Sequence, residues 1–176
     1  YSPTGYLNKK GCSPLYDNIQ ENVPAPHYPW PVIRMAELYL NLAEAEANLG
    51  NIDSAVEALK PVRKRAGLPS VDAAFATAGL TLDKAAMIRM AKQERTVELY
   101  LEGHRFWDVR RWKEGEKYFN HRPKGMNFDG ESDAEFFRVT EIIVQRKFST
   151  PMNYLMPIPK DDINKNESKF VQNPGY

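Results

Sequence analysis

The sequence predicts an all-α fold of tetratricopeptide-like helix pairs, with long irregular loops and an extended C-terminal tail. Apolar residues recur at helical spacing over about 32–66 and again over 82–119. Prolines and glycines interrupt the residues before the first region and those after the second. We therefore expect one region of two helix pairs, with residues 120–176 irregular.

The clearest local pattern is LNLAEAEANLGNIDSAVEAL, Leu40 to Leu59, which fits the helix-turn-helix of a tetratricopeptide repeat. The positions that define this repeat are filled by Tyr39, Leu42, Ala43, Ala55, Leu59 and Pro69. Alanines on both helices allow close antiparallel packing, and Gly50 can end the first helix in a left-handed conformation. A single repeat cannot bury its own apolar face, so we expect neighbouring helices to cover it.

Each helix of the first pair has its own apolar spacing. Residues 1–31 hold six prolines and are expected to form loop or extended segments. The first helix then runs from about Val32 to Leu49, and the second from about Ser54 to Ala66. The first helix has an apolar line at Leu38, Leu42, Ala45 and Leu49, with spacings of four, three and four residues. Pro61 is expected to kink the second helix or to remove one of its backbone hydrogen bonds.

The second pair follows a small-residue loop over 70–79. Thr81 is the predicted N-cap of a long helix that reaches Glu102, where Gly103 breaks or kinks it. An amphipathic segment then extends to about Phe119, and we expect Trp107 and Trp112 to lie in the core because large rings on a helix bury well. A short strand is predicted within 138–148, and extended turns from residue 154 onward.

Composition excludes several functional classes. The net charge of +1 on 176 residues argues against a nucleic-acid partner, which would require a clustered basic excess. We interpret the run Arg63-Lys64-Arg65 as a solvated last helical turn, favoured there by the helix dipole. The single Cys12 excludes an internal disulfide framework, and no stretch is long and apolar enough to span a bilayer. The chain starts at Tyr1 without methionine, so an upstream signal segment could have been removed.

The densest polar segment is ERTVELYLEGHRFWDVRRW, residues 94–112. It contains the predicted ion network of Glu94, Arg95, Glu98, Glu102, Arg105, Asp108 and Arg111. Glutamates four residues apart share one helix face and repel each other unless cations lie between them, and arginine suits that role. A catalytic pair formed by Glu98 and Glu102 is the alternative. The structural interpretation is favoured, because interleaved arginines would hold the carboxylates ionised and unsuited to acid catalysis.

Signals for metal, cofactor or nucleophile chemistry are weak. His27, His104 and His121 are far apart, and no HExxH spacing is present. The sequence has neither a GxSxG motif nor a glycine-rich phosphate loop. We expect no metal and no cofactor, and a protein that is not an enzyme.

Two rings near the N-terminus are the candidate ligand-binding residues. Tyr28 and Trp30 stand between Pro26, Pro29 and Pro31, where a rigid loop could present a ring to solvent. A flat ring is the surface on which the apolar face of a sugar stacks. A ring buried under the loop as local core remains the alternative.

Four segments in a fixed order resemble a known family. They are RMAELYLNLAEAEANLGN, RKRAGLP, the block at 94–112, and the ending MPIPKDDINKN followed by QNPGY. Together they resemble the C-terminal part of SusD/RagB nutrient-uptake outer-membrane lipoproteins of Bacteroidetes-type bacteria. The resemblance covers about residues 32–176. Thr4-Gly5-Tyr6 with Lys10 is similar to the extended segment that precedes this region in the family. Lys60-Pro61 replaces the helical pair that is usual in the family before Val62.

This resemblance implies a fold, a location and partners. The fold would be a tetratricopeptide-like superhelix that supports an irregular ligand-binding part, with the block at 94–112 as scaffold. The protein would bind an oligosaccharide, or a peptide in the RagB branch, and deliver it to a SusC-like TonB-dependent transporter. It would lie at the cell surface on the outer membrane, held by an N-terminal lipid anchor absent from this chain. A cytosolic tetratricopeptide adaptor that binds a partner protein is the competing hypothesis.

Overall fold

The computed structural model describes residues 2–12, 31–166 and 169–176, and within them the chain is mainly helical. The helices are α1 (Met35–Leu49), α2 (Ile52–Arg65), α3 (Val71–Thr77), α4 (Lys84–Glu98), α5 (His104–Arg111), α6 (Gly115–Phe119), α7 (Asp133–Phe136) and α8 (Lys160–Lys165). Two short strands, β1 (Lys124–Met126) and β2 (Val139–Glu141), and a single 3-10 turn (Met152–Tyr154) complete the described elements. The predicted all-α class with tetratricopeptide-like helix pairs is confirmed.

These residues fall into two compact units. One holds residues 31–105, and the other combines residues 2–12 with the chain from Phe106 onward. The unit of residues 31–105 contains α1 to α4, with α1 packed against both α2 and α4. The second unit contains the two-stranded sheet and the extended tail.

Small residues allow the close packing of α1 and α2. Ala43, Ala47 and Ala55 are completely buried, and Leu40 and Leu59 fill the space beside them. Gly50 adopts a left-handed conformation, φ 89°, and its N–H donates to the carbonyl of Ala47 at 3.1 Å. The glycine therefore ends α1 as predicted, and the chain reverses directly into α2.

The apolar line predicted along α1 is exposed rather than packed against α2 and α4. Leu38 and Leu42 are each 50% exposed, Leu49 is 73% exposed, and Ala45 is also exposed. The buried side is the one with Leu40, Ala43 and Ala47, because alanine lets α2 and α4 approach more closely than a row of leucines would. The larger side chains lie on the other side of the helix.

Several boundaries differ from the prediction. The expected loop over 70–79 contains α3, whose Val71 is fully buried. The long helix ends at Glu98, and left-handed residues at Leu101 and Gly103 separate it from α5. Lys113, also left-handed, divides the predicted segment 104–119 into α5 and α6. The second helix, α2, is not divided at Pro61 and continues to Arg65.

The second unit is organised around a small antiparallel sheet. The register pairs Lys124 with Glu141 and Gly125 with Thr140. The predicted strand within 138–148 is thus limited to Val139–Glu141, and β1 is its partner. Gly125 is required because a Cβ at this position would collide with the Thr4 backbone, whose carbonyl accepts from Met126 N at 2.9 Å.

Side-chain amides hold the irregular tail together. Gln172 donates to the carbonyl of Ile158 and accepts from its N–H, both at 2.8 Å. Asn173 donates to the Met156 carbonyl at 2.6 Å, and the Tyr176 hydroxyl donates to the Leu155 carbonyl at 3.0 Å. Because the prolines on either side of Ile158 have no N–H, these amides replace a strand partner for the segment. The terminal QNPGY motif therefore has a structural role, and α8 is a helical turn missed within the predicted extended tail.

Candidate functional site

Glutamates in α4 and just after its end form ion pairs with arginines from elsewhere in the chain. Arg34, just before α1, contacts Glu102 through two parallel hydrogen bonds of 2.7 Å, from Nε to Oε2 and from Nη2 to Oε1. Its Nη1 donates to Glu98 Oε1 at 2.6 Å, and its Nη2 to the Glu98 carbonyl at 2.8 Å. Arg65, at the end of α2, contacts both carboxylate oxygens of Glu98 at 2.6 Å.

A second group of contacts lies further toward the start of α4. Glu94 pairs with Arg63, which also donates from Nε to the Pro69 carbonyl at 2.6 Å. Arg95 is 96% buried, with its Nε 3.6 Å from Glu44 Oε2, and it donates to the Asn41 side chain. Arg63 is itself buried, so its interpretation as part of a solvated last turn is wrong.

The remaining residues of the predicted network make shorter-range contacts. Arg105 donates to the Thr96 hydroxyl at 2.9 Å. In the other unit, Arg111 contacts Asp108 Oδ1 from Nε at 2.9 Å and from Nη2 at 2.8 Å, within α5. Three arginines that contact Glu94, Glu98 or Glu102 were not predicted as partners: Arg34, Arg63 and Arg65. They stand outside the 94–112 block, so spacing within that block gave no signal for them.

The electrostatics of the Arg34 site favour ionised glutamates. Hydrogen bonding to Glu102, followed by contact with Glu98, raises the pKa of Arg34 above its ordinary value. A permanently charged guanidinium beside both glutamates stabilises their carboxylate forms. The ion pairs can therefore tie helices together.

Neither predicted ligand-binding ring can be placed. Tyr28 and Trp30 lie outside the residues that the structure describes, as does His27. Both rings therefore stay predictions.

A cleft beside β1 and β2, termed here the hairpin cleft, is a cavity of about 300 Å³. Its walls are formed by Pro3, Met126, Asn127, Phe128, Asp129, Thr140, Glu141, Ile142, Ile143 and Val144. Phe128 is 55% exposed, and Asn127 and Asp129 beside it carry polar groups. A ring next to an amide and a carboxylate is chemically suited to a sugar, whose apolar face stacks while its hydroxyls form hydrogen bonds. No periodic pattern of residues predicts this cleft, because it forms only when β1 pairs with β2.

A second exposed aromatic group lies on α5. Trp107 is 60% exposed, so the expectation that it belongs to the core is wrong, whereas Trp112 is partly buried. The Phe106 ring meets the Trp107 ring edge-on at 4.9 Å between centroids, and the Arg110 guanidinium lies 3.5 Å from the Phe106 centroid. Residues five apart on a helix point about 140° from each other, so the two tryptophans could not share one buried face.

Two negative findings apply to the described part of the chain. Within residues 2–12, 31–166 and 169–176, no group of three histidine, cysteine, aspartate or glutamate side chains could hold a metal ion. The helices in the same ranges include none with the length and apolar character needed to cross a membrane.

A protein-family model and a curated relative match the sequence of this chain. A model described as "SusD family" matches residues 1–176. A "SusD-like protein P2" from Formosa agariphila is 30% identical over 148 residues, which are 82% of this chain and 25% of that protein.

Solved structures agree with this comparison. The selenomethionine form of "BT4246" is similar to this chain with a TM-score of 0.70 and 40% sequence identity. The matched region covers 82% of this chain and 24% of the BT4246 chain. A SusD-like protein from Bacteroides fragilis, BF3747, has a TM-score of 0.66 and 32% identity, with 84% of this chain and 26% of its own covered. The chain therefore spans about a quarter of the length of these relatives.

Proposed function

Because the chain belongs to the SusD family, we propose that the protein binds oligosaccharides at the bacterial cell surface and delivers them to an outer-membrane transporter. The transporter would be a SusC-like, TonB-dependent channel, and the protein would be held at the outer membrane by a lipid anchor. The observation that carries this proposal is the match of the family model to residues 1–176. The 40% identity to a solved structure of the same helical scaffold supports it.

The ion pairs of α4 favour binding without catalysis. Glu98 and Glu102 share Arg34, which stabilises their ionised forms and leaves neither suited to donate a proton. A capture protein needs no such group, because its ligand is released unchanged. We therefore propose that the carboxylates of the 94–112 block are scaffold and that the protein is not an enzyme.

Stacking on rings suits capture followed by release. An aromatic contact contributes about 0.5–1.5 kcal/mol beyond the area that it buries. A few such contacts with hydrogen bonds give dissociation constants between about 1 μM and 1 mM, weak enough for transfer to a channel. We propose Tyr28 and Trp30 as the stacking residues; the Phe128 ring in the hairpin cleft is the alternative location, which the test below distinguishes from them.

The test is a binding screen on the full-length protein with oligosaccharides and with peptides. Trp30→Ala should weaken the affinity for the bound oligosaccharide by about tenfold, the equivalent of 1.4 kcal/mol. Phe128→Ala, the matched ring-to-alanine change, should leave the affinity unchanged. The reverse result would move the site to the hairpin cleft, and unchanged affinity in both variants would overturn both site proposals.

Two other outcomes would overturn the function itself. Binding of peptides alone would make the protein a peptide-capture member of the family. Release of new reducing ends from the bound oligosaccharide would indicate a hydrolase. In that case Glu98→Gln and Glu102→Gln should abolish turnover in a protein that remains folded.

A further inference from the structure

Aromatic rings and guanidinium groups alternate in one part of the second unit. This group, called here the ring ladder, consists of Phe106, Trp107, Arg110, Phe119, Arg146 and Phe148. The Arg110 guanidinium lies 3.5 Å from the Phe106 ring centroid and 5.6 Å from that of Phe148. Phe148 stacks on Phe119 at 5.9 Å between centroids, and the Arg146 guanidinium lies 5.7 Å from the Phe119 centroid. The ladder therefore has one arginine beside each of two stacked rings.

The two arginines of the ladder are not neutralised as the arginines around α4 are. Those arginines form ion pairs with glutamates. Among the described residues, neither Arg110 nor Arg146 has a carboxylate at ion-pair distance. The carboxylates nearest to Arg110 in sequence that have described partners are engaged elsewhere, since Asp108 is paired within α5 and Glu116 accepts from a tyrosine hydroxyl. The ladder therefore presents positive charge together with rings.

The contacts of Arg110 leave most of its hydrogen-bond donors available. The guanidinium has five N–H groups in one plane, and Nη1 donates to the Phe106 carbonyl at 3.0 Å. The Phe106 ring covers a flat face of the guanidinium, so the stack does not block the N–H groups at its edge. A carboxylate or a sulfate can accept two parallel hydrogen bonds from such an edge. Arg146 is exposed, so an anion can reach its guanidinium as well.

Trp107 adds an accessible ring beside Arg110. Its ring is 60% exposed and is held edge-on by Phe106 at 4.9 Å between centroids. Residues three apart on a helix are surface neighbours, so Trp107 and Arg110 lie side by side on α5. A sugar that stacks on the Trp107 ring can therefore place an acidic substituent at the Arg110 guanidinium.

We propose that the ring ladder binds an acidic oligosaccharide, one whose sugars carry carboxylate or sulfate groups. The Trp107 ring would stack on a sugar, while Arg110 and Arg146 would each bind an acidic group. This inference rests on the proposed function, because it takes the ligand to be an oligosaccharide, and it adds a contact surface to the rings proposed above. Single-stranded nucleic acid also combines stacking with negative charge, but the net charge of +1 argues against it.

The first test compares acidic and neutral sugars on the full-length protein by calorimetric titration. The probes are a galacturonic acid tetramer with its neutral methyl ester, and a sulfated galactan tetramer with its desulfated form. At least one acidic tetramer should bind at least about tenfold more tightly than its neutral form at about 50 mM salt, and the difference should shrink at about 500 mM salt. The two pairs distinguish a carboxylate ligand from a sulfate ligand.

The second test assigns this preference to the ladder. Arg110→Gln should weaken the affinity for the acidic tetramer by about tenfold, and that for its neutral form by less than about twofold. Arg110→Lys should recover only part of the loss, because lysine keeps the charge but lacks the planar fork. Arg89→Gln is the matched control, since Arg89 is exposed on α4 in the other unit and its loss removes the same charge. Arg146→Gln, at an exposed position, serves as the test if Arg110→Gln fails to fold.

The outcomes separate this inference from the proposed function. Binding of neutral oligosaccharides with no preference for the acidic forms would overturn the inference and leave the proposed function standing. A protein that binds no oligosaccharide would overturn both. Equal effects of Arg110→Gln and Arg89→Gln would show a general attraction between charges, and tighter binding of a single-stranded oligodeoxynucleotide than of either acidic tetramer would indicate the wrong ligand class; each result would overturn the inference.

Discussion

At the scale of single residues, Arg34 connects the segment before α1 to the end of α4. Its guanidinium forms four hydrogen bonds to Glu98 and Glu102, and the side chains of these glutamates are only 14% and 9% exposed. Two carboxylates that share one guanidinium and have little access to water repel each other unless a permanent cation lies beside them. Arginine suits the position better than lysine, because its planar fork binds one carboxylate with two parallel bonds.

Replacement of Arg34 by methionine should therefore destabilise the protein. We expect a loss of about 2–4 kcal/mol in the free energy of unfolding, since two largely buried carboxylates lose a shared guanidinium. Chemical denaturation of the variant measures this loss. Arg65→Met is the control: Arg65 also contacts Glu98, but its side chain is 62% exposed, so the loss should be at most about 1 kcal/mol. Equal losses in the two variants would contradict the proposed role of burial.

A second residue-scale prediction concerns Tyr154. Its hydroxyl donates to Glu116 Oε2 at 2.5 Å and accepts from Gly115 N at 2.9 Å. Burial, followed by the hydrogen bond to Glu116, raises the pKa of Tyr154 above its ordinary value of 10.0. The neutral phenol is thus favoured in the folded state. Its contribution to stability is complete below pH 10 and is lost as pH rises through the folded pKa.

This contribution is measured by comparing the native protein with Tyr154→Phe between pH 8 and pH 11. The native protein should be the more stable at pH 8, and its advantage should shrink as the pH rises past 10. An advantage that stays constant over this range would show that ionisation of Tyr154 has no part in stability.

At the scale of elements, the first turn of α4 depends on Asp83. Its Oδ1 accepts from Ala86 N at 2.7 Å, which satisfies one of the free N–H groups at the helix start. The sequence had favoured Thr81 for this role. Both residues are common caps, and the choice between them depends on where the backbone turns.

Asp83→Ala should consequently lower the free energy of unfolding by about 1 kcal/mol. Thr81→Ala is the matched control and should have an effect below about 0.5 kcal/mol. Thermal or chemical denaturation of the two variants measures the difference. A larger effect at Thr81 than at Asp83 would show that the helix begins earlier than the structure places it.

Local signals predicted α1 and α2 well and the shorter elements poorly. Gly50 and the alanines of the first pair specify a turn and a close packing distance, which depend on neighbouring residues only. The seven residues of α3 and the six of α8 are too short for a helical period to stand out. The apolar line that includes Leu42 predicted the helix but not its buried face, because residue size alone does not reveal which face meets α2 and α4.

The candidate sites were also difficult to predict, because their contacts join residues that are distant in the sequence. Spacing along α4 identified Glu94 and Glu98 as residues that require cations. Their partners Arg63 and Arg65 lie 31 and 33 residues away, so the pairing is a property of the packed helices. The hairpin cleft likewise combines residues on either side of α7, and only the pairing of β1 with β2 brings them together.

At the scale of the whole molecule, the described helices form a scaffold whose polar groups are largely committed to structure. The α4 glutamates hold arginines from other segments, and the QNPGY ending holds the Met156–Ile158 segment. In the proposed function this scaffold presents loops to a ligand. The proposed function places sugar capture on those loops and assigns the repeat at α1 and α2 a supporting role.

The most direct test of glycan capture is calorimetric titration of the full-length protein with a panel of oligosaccharides, followed by analysis of the recovered sugars. We predict at least one oligosaccharide with a dissociation constant between about 1 μM and 1 mM, recovered without cleavage. A protein that binds none of the panel, or that binds only peptides, would contradict the account.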